Sequence, residues 1–135
     1  MDEKELIKKA LEIKEQAYVP YSNFHVGAAL LMEDGKVYTG CNIEIASYSP
    51  TICAERTAIF KAVSEGSRDI KAIAIVGDAG LTYPCGVCRQ VIREFGKDAK
   101  IIIAKTEDDY ETYQLEDLLP HSFGPEDLKK IGSDK

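Results

Sequence analysis

The amino-acid sequence predicts an α/β fold, a three-layer sandwich in which helices cover both faces of a mixed, partly parallel central sheet. Three observations point to it. Apolar residues recur at helical spacing over residues 3–18. An Asp34-Gly35 turn signal joins two strand-like segments. Two short apolar runs, 70–76 and 101–104, flank a helical segment, which is the pattern of a right-handed crossover between parallel strands.

In the first helix, 3–18, Leu6, Ile7, Ala10, Leu11, Ile13 and Ala17 alternate with charged residues, and Pro20 ends the pattern. Residues 24–32 form an apolar strand, a two-residue turn at Asp34-Gly35 follows, and 36–42 alternates as a second strand. Residues 43–52 are irregular. The second helix, 53–65, starts at a cysteine, turns Ile59, Phe60, Ala62 and Val63 inward, and stops at Gly66. Strand 70–76, helix 86–95 closed by Gly96, and strand 101–104 follow. Residues 110–114 suit an edge strand, while 115–119 and 126–131 suit short helical turns set apart by Pro120 and Pro125.

The 135 residues suffice for one core and are read as one domain, 1–135, with 44% hydrophobic and 30% charged residues. Apolar runs fall far short of the roughly 20 residues a membrane-spanning helix needs. The charged start lacks the pattern of a secretory signal, so a cytoplasmic location is expected. Seventeen Lys and Arg against 23 Asp and Glu give a net charge of −6 without a basic stripe, which argues against a nucleic acid polymer as partner. Four cysteines in a reducing compartment point to metal or redox chemistry.

Cys53-Ala54-Glu55 and Pro84-Cys85-Gly86-Val87-Cys88 each open a predicted helix. Helices of an open α/β sheet begin beyond the carboxyl ends of strands, so the two segments can meet at one sheet edge. A helix N-terminus favours negative charge and lowers the cost of forming the thiolate that binds zinc. Three thiolates leave the fourth position of a tetrahedral Zn²⁺ for solvent, which marks a catalytic site. Glu55, two residues after Cys53, can reach that solvent as a proton carrier. The site would carry net negative charge, so a cation should compensate. Arg56 and Arg89 are both candidates, with Arg56 preferred as a donor to sulfur.

Simpler readings compete. Cys85 and Cys88 could form a redox pair. Cys41 could close a structural four-cysteine site, although a buried strand cysteine is its ordinary role. Neither His25 nor His121 is assigned to the metal.

Four segments carry a closer likeness: Tyr18-Val19-Pro20-Tyr21-Ser22-Asn23-Phe24 with Val26-Gly27-Ala28-Ala29-Leu30; Gly40-Cys41-Asn42-Ile43-Glu44; Cys53-Ala54-Glu55-Arg56-Thr57-Ala58; and Pro84-Cys85-Gly86-Val87-Cys88-Arg89-Gln90. Through them the chain resembles the small, single-domain cytidine deaminase family over nearly its whole length. The resemblance implies one zinc ion per subunit on Cys53, Cys85 and Cys88, with Glu55 as proton shuttle. It implies hydrolytic deamination of free cytidine and deoxycytidine in pyrimidine salvage. It places Phe24 beside the pyrimidine, Asn42 and Glu44 on ribose hydroxyls, and the backbone of Ala54 on the base. It also implies a homotetramer in which neighbouring subunits complete each pocket with Ala46, Tyr48 and Phe123. Two positions depart from the family pattern: Ile45 stands where asparagine is usual, and Val87 replaces the alanine of C-G-A-C.

Overall fold

The computed structural model describes residues 1–128. The chain runs α1 (Glu3–Lys14), β1 (Val26–Met32), β2 (Val37–Cys41), α2 (Ala54–Ser64), β3 (Ile70–Gly77), α3 (Gly86–Phe95), β4 (Lys100–Thr106), β5 (Asp109–Gln114) and α4 (Leu115–Leu118). The five strands lie in the order β2-β1-β3-β4-β5. Among the strands of the described residues only β3 and β4 pair in parallel, with Ile75 opposite Ile103, and α3 is their crossover.

Strand alternation sorts side chains into two apolar layers. Ala28, Leu30, Met32, Ile73, Ile75, Ile101 and Ile103 pack with Ala54, Ala58, Ile59 and Ala62 of α2 and Ile92 of α3. Ala29, Ala74, Val76, Ile102 and Ala104 face the other way and pack on Leu6, Ile7 and Ala10 of α1. The sheet is therefore sandwiched as predicted. Each fully buried Ile or Leu contributes roughly 1.5–3 kcal/mol, so both layers are needed to offset the chain's ordering entropy.

Three of the differences from the sequence-based expectation have a clear local cause. Helix α1 stops at Lys14, four residues early, because Tyr18 is drawn into backbone pairing with Asn42 and Glu44, its N–H donating to Asn42 O at 3.0 Å. Strand β1 starts at Val26: the N–H groups of His25 and Val26 donate to the side chains of Asp78 and Asn42 rather than to a neighbouring strand. The hairpin turn has three residues, not two. Gly35 N donates to Met32 O, Met32 N to Lys36 O, and Gly35 sits at φ +87°, a left-handed position that suits glycine.

Residues 43–52 are irregular but closed by an antiparallel bridge between Ile43 and Ile52. A helical turn covers 125–128; the remainder of the expected 126–131 turn lies outside the described residues. No helix among the described residues is long and apolar enough to cross a membrane.

Candidate active site

The strand register gathers Cys41 at the end of β2, Val26 at the start of β1 and Gly77 at the end of β3 along one sheet edge. Both cysteine-bearing helix starts reach this edge. Gly40 lets α2 lie close on β2, since a Cβ there would stand 2.5 Å from Ala58 N and 2.7 Å from Ala54 O. Cys53 precedes α2 as its N-cap and makes no cap bond with its side chain, and Cys85 holds the same place on α3.

The sulfurs of Cys53, Cys85 and Cys88 all lie within 4.8 Å of one another, with Cys53 and Cys85 3.8 Å apart. A tetrahedral zinc ion with bonds of ~2.3 Å holds its sulfurs about 3.8 Å apart, so the trio fits that ion, while a disulfide would need about 2.05 Å. Arg56 Nη2 donates to Cys53 Sγ at 3.4 Å. The hydrogen bond from Cys88, with Arg56 and Cys85 adding, outweighs burial and draws the Cys53 thiol down to about 5. The Cys88 thiol is pushed up by its bond to Cys53 and by burial. A dication bound here takes the place of the remaining protons.

Glu55 is 4% exposed in the first turn of α2. Burial pushes its carboxyl up to about 7, the charge of Cys53 adds to this, and Arg56 and Cys88 oppose it without cancelling it. An acid that changes protonation near neutral pH, beside three metal-ready sulfurs, is suited to moving protons. Cys53, Ala54, Glu55 and Cys85 line a cleft of about 130 Å³, together with Val26, Asn42, Thr82 and Tyr83.

The other predicted residues divide between those the single chain brings to the cleft and those it does not. Asn42 lines it, with Nδ2 donating to Phe24 O at 2.8 Å and Oδ1 accepting from Val26 N at 2.9 Å. Ala54 is fully buried at the first position of α2, where backbone N–H groups lack helical partners. Phe24 is half-buried against the core. Glu44 accepts from Tyr21 N at 3.0 Å, from Ser22 N at 3.1 Å and from Ser22 Oγ, and these bonds hold its carboxyl below the ordinary range. Ala46 is exposed, and Tyr48 and Phe123 are 70% and 57% exposed. None of the three lines this chain's cleft.

Arg89 turns away from sulfur: Nε donates to Pro84 O and Nη1 to Leu118 O, each at 2.8 Å. Cys41 is buried and stands outside the sulfur group, so the closed four-cysteine site does not form. His25 pairs with Asp78 at 2.7 Å, and His121 lies exposed in a turn. Ile45 is partly exposed, its backbone bonded to Thr51 Oγ1, and Val87 points to solvent.

Sequence reasoning missed Thr82 and Tyr83. Thr82 Oγ1 is buried without a hydrogen-bond partner, and Tyr83 Oη meets Tyr113 Oη at 3.1 Å. Their place just beyond the end of β3, where open α/β sheets bind ligands, was the available signal.

Three metal-ready sulfurs beside a buried carboxyl fit the centre of a hydrolytic zinc enzyme. Residues 1–105 match the family described as cytidine and deoxycytidylate deaminase zinc-binding region. A cytidine deaminase of Sporosarcina psychrophila is 53% identical over 130 residues, covering 95% of this chain and 96% of that protein. One of Halalkalibacterium halodurans is 52% identical, with 95% and 98% covered. The crystal structure of cytidine deaminase from Burkholderia pseudomallei superposes with a TM-score of 0.86 at 47% identity, over 91% of this chain and all of that one. The chain belongs to the cytidine deaminase family.

Proposed function

We propose that this protein hydrolyses free cytidine and deoxycytidine to uridine and deoxyuridine, releasing ammonia, as a cytoplasmic enzyme of pyrimidine salvage. The observation that carries the proposal is the Glu55 carboxyl, buried in a cleft that also exposes Cys53 and Cys85. Cys53, Cys85 and Cys88 would hold Zn²⁺, which when bound supplies the Lewis acidity that brings the pKa of solvent toward neutrality.

Glu55 takes a proton from that solvent molecule as its oxygen adds to ring carbon 4. It gives that proton to ring nitrogen 3, then carries the proton of the new carbon-4 hydroxyl to the exocyclic amino group, so that the C4–N bond breaks, a carbonyl forms at carbon 4, and ammonia leaves. A carboxyl that titrates near neutrality can run these transfers in both directions. Arg56 steadies Cys53 and offsets the negative charge of three thiolates. Ala54 N–H and Phe24 orient the base, and Asn42 and Glu44 the sugar. The bonds Asn42 makes to Phe24 O and Val26 N fix its carboxamide in the cleft wall, with a second N–H free for a hydroxyl.

The cleft is smaller than the roughly 300–1,000 Å³ of complete small-molecule pockets. Exposed aromatics nearby, with Tyr21 and Tyr48 meeting edge to face at 6.2 Å, supply apolar surface for another copy. Both features support a homotetramer in which Ala46, Tyr48 and Phe123 of neighbouring subunits complete each site. The net charge of −6 favours a free nucleoside over a polymer.

Ultraviolet absorbance with cytidine, deoxycytidine, cytosine and adenosine, alongside zinc quantification, tests the proposal. Turnover of the first two with one zinc per subunit is expected. Zinc-loaded protein inert toward both would end it.

A further inference from the structure

Among the described residues two charged side chains are buried, and the chemistry above uses only Glu55. The other is Arg93, 7% exposed in the last turn of α3. All three nitrogens of its guanidinium donate to the segment after α4. Nε donates to Ser122 Oγ at 2.8 Å, Nη1 to Glu126 Oε2 at 3.4 Å, and Nη2 to Glu126 Oε1. Gly124 makes room for it, since a Cβ there would stand 2.5 Å from Cζ and from Nη1. One turn earlier, Gln90 Nε2 donates to Phe123 O at 2.7 Å.

The residues on both sides of Phe123, and its own carbonyl, are thus anchored to α3, while its ring stands 57% exposed. Such an arrangement spends a buried arginine on holding still an aromatic ring that does little within its own chain. An immobilised apolar side chain is what a neighbouring surface needs, because its ordering entropy is already lost before contact.

We infer that Arg93 is a positioning residue acting across subunits: it holds 122–126 so that Phe123 closes the base-binding cleft of a neighbouring copy and raises substrate affinity there. This rests on the shared-pocket tetramer proposed above. The ten-residue helix α3 then carries its own subunit's Cys85 and Cys88 at one end and the neighbour's aromatic wall at the other.

The test uses the full-length, zinc-loaded protein, with kcat and KM for cytidine, zinc content and oligomeric state measured for each variant. An aromatic contact is worth about three- to tenfold in affinity. Arg93→Met should therefore raise KM by about that factor with kcat, zinc and assembly kept. Arg93→Lys, which keeps charge but loses the fork, should fall between. The double variant with Phe123→Ala should be no worse than Phe123→Ala alone, because both changes remove one contact. Mixed assemblies of Arg93→Met subunits with inactive Glu55→Gln subunits should regain part of the low KM.

An unchanged KM in Arg93→Met, multiplying losses in the double variant, or no recovery in mixed assemblies would overturn the inference. So would dissociation of the assembly in both Arg93→Met and the milder Glu126→Gln. A wild-type protein that leaves cytidine intact, or a Phe123→Ala variant with normal KM, would instead strike the proposed function.

Discussion

Glu55 at the start of α2 and Arg93 at the end of α3 are both buried and charged, yet the protein treats them oppositely. Around Glu55 burial outweighs the help of Arg56 and Cys88, and the carboxyl rises to about 7. Around Arg93 the side chains of Ser122 and Glu126 accept from all three guanidinium nitrogens, and Glu126 pushes the guanidinium further toward its charged form. A buried group left short of partners sits between protonation states and can do chemistry. One whose charge is matched by an acidic partner keeps its state, and serves to hold something in place.

The most severe way to break this contrast removes the sulfurs that make one end reactive. Cys85→Ala should lose zinc, by mass spectrometry of the purified protein, and with it all measurable turnover. Glu55→Gln should keep zinc and fold but lose a factor of ~10² to 10⁴ in kcat. It also probes the burial cost. A carboxyl raised from 4.5 to about 7 on folding favours the folded state at low pH and loses that advantage as pH rises through about 7. In metal-free protein at pH 8, Glu55→Gln should therefore unfold at a higher temperature than the wild type, and an equal or lower temperature would contradict the assignment of burial as the cause.

At the other end, Gly124→Ala should displace the guanidinium and raise KM by about three- to tenfold with kcat nearly unchanged. A loss confined to kcat would place the residue in the chemistry instead. The smallest effect belongs to an exposed pair. Asp78 accepts from His25 N at 2.6 Å and from Lys14 at 3.1 Å, and these bonds, His25 first, draw its carboxyl down to about 2. A lowered carboxyl stabilises above its ordinary range and stops doing so as pH falls toward about 2. Because Asp78 is one-third exposed, Asp78→Asn should lower the unfolding temperature at pH 7 by only about 1–3 °C. The difference from wild type should close between pH 4 and pH 2 in thermal scans.

The parts of the site legible from sequence share a local cause. Cys53, Glu55, Cys85 and Cys88 lie at helix starts, so short-range spacing places them. The apolar runs of β3 and β4 are legible for the same reason, as periodicity reports burial. Arg93 was opaque, because an arginine in an amphipathic helix reads as a solvated charge until Ser122 and Glu126 are seen against it. The place of Thr82 beyond β3 was legible, but nothing near it in sequence tells that its hydroxyl is buried without a partner.

Sequence alone determined the element types, the two apolar layers and the metal-binding residue set, since propensity, periodicity and ligand chemistry act over a few neighbouring residues. Only the tertiary structure decided that burial lifts the Glu55 carboxyl to about 7 and that α3 grips the segment bearing Phe123. Those outcomes depend on desolvation and contacts between residues far apart in the chain, such as Gln90 and Phe123, and the free energy of such contacts exists only once the chain has closed on itself.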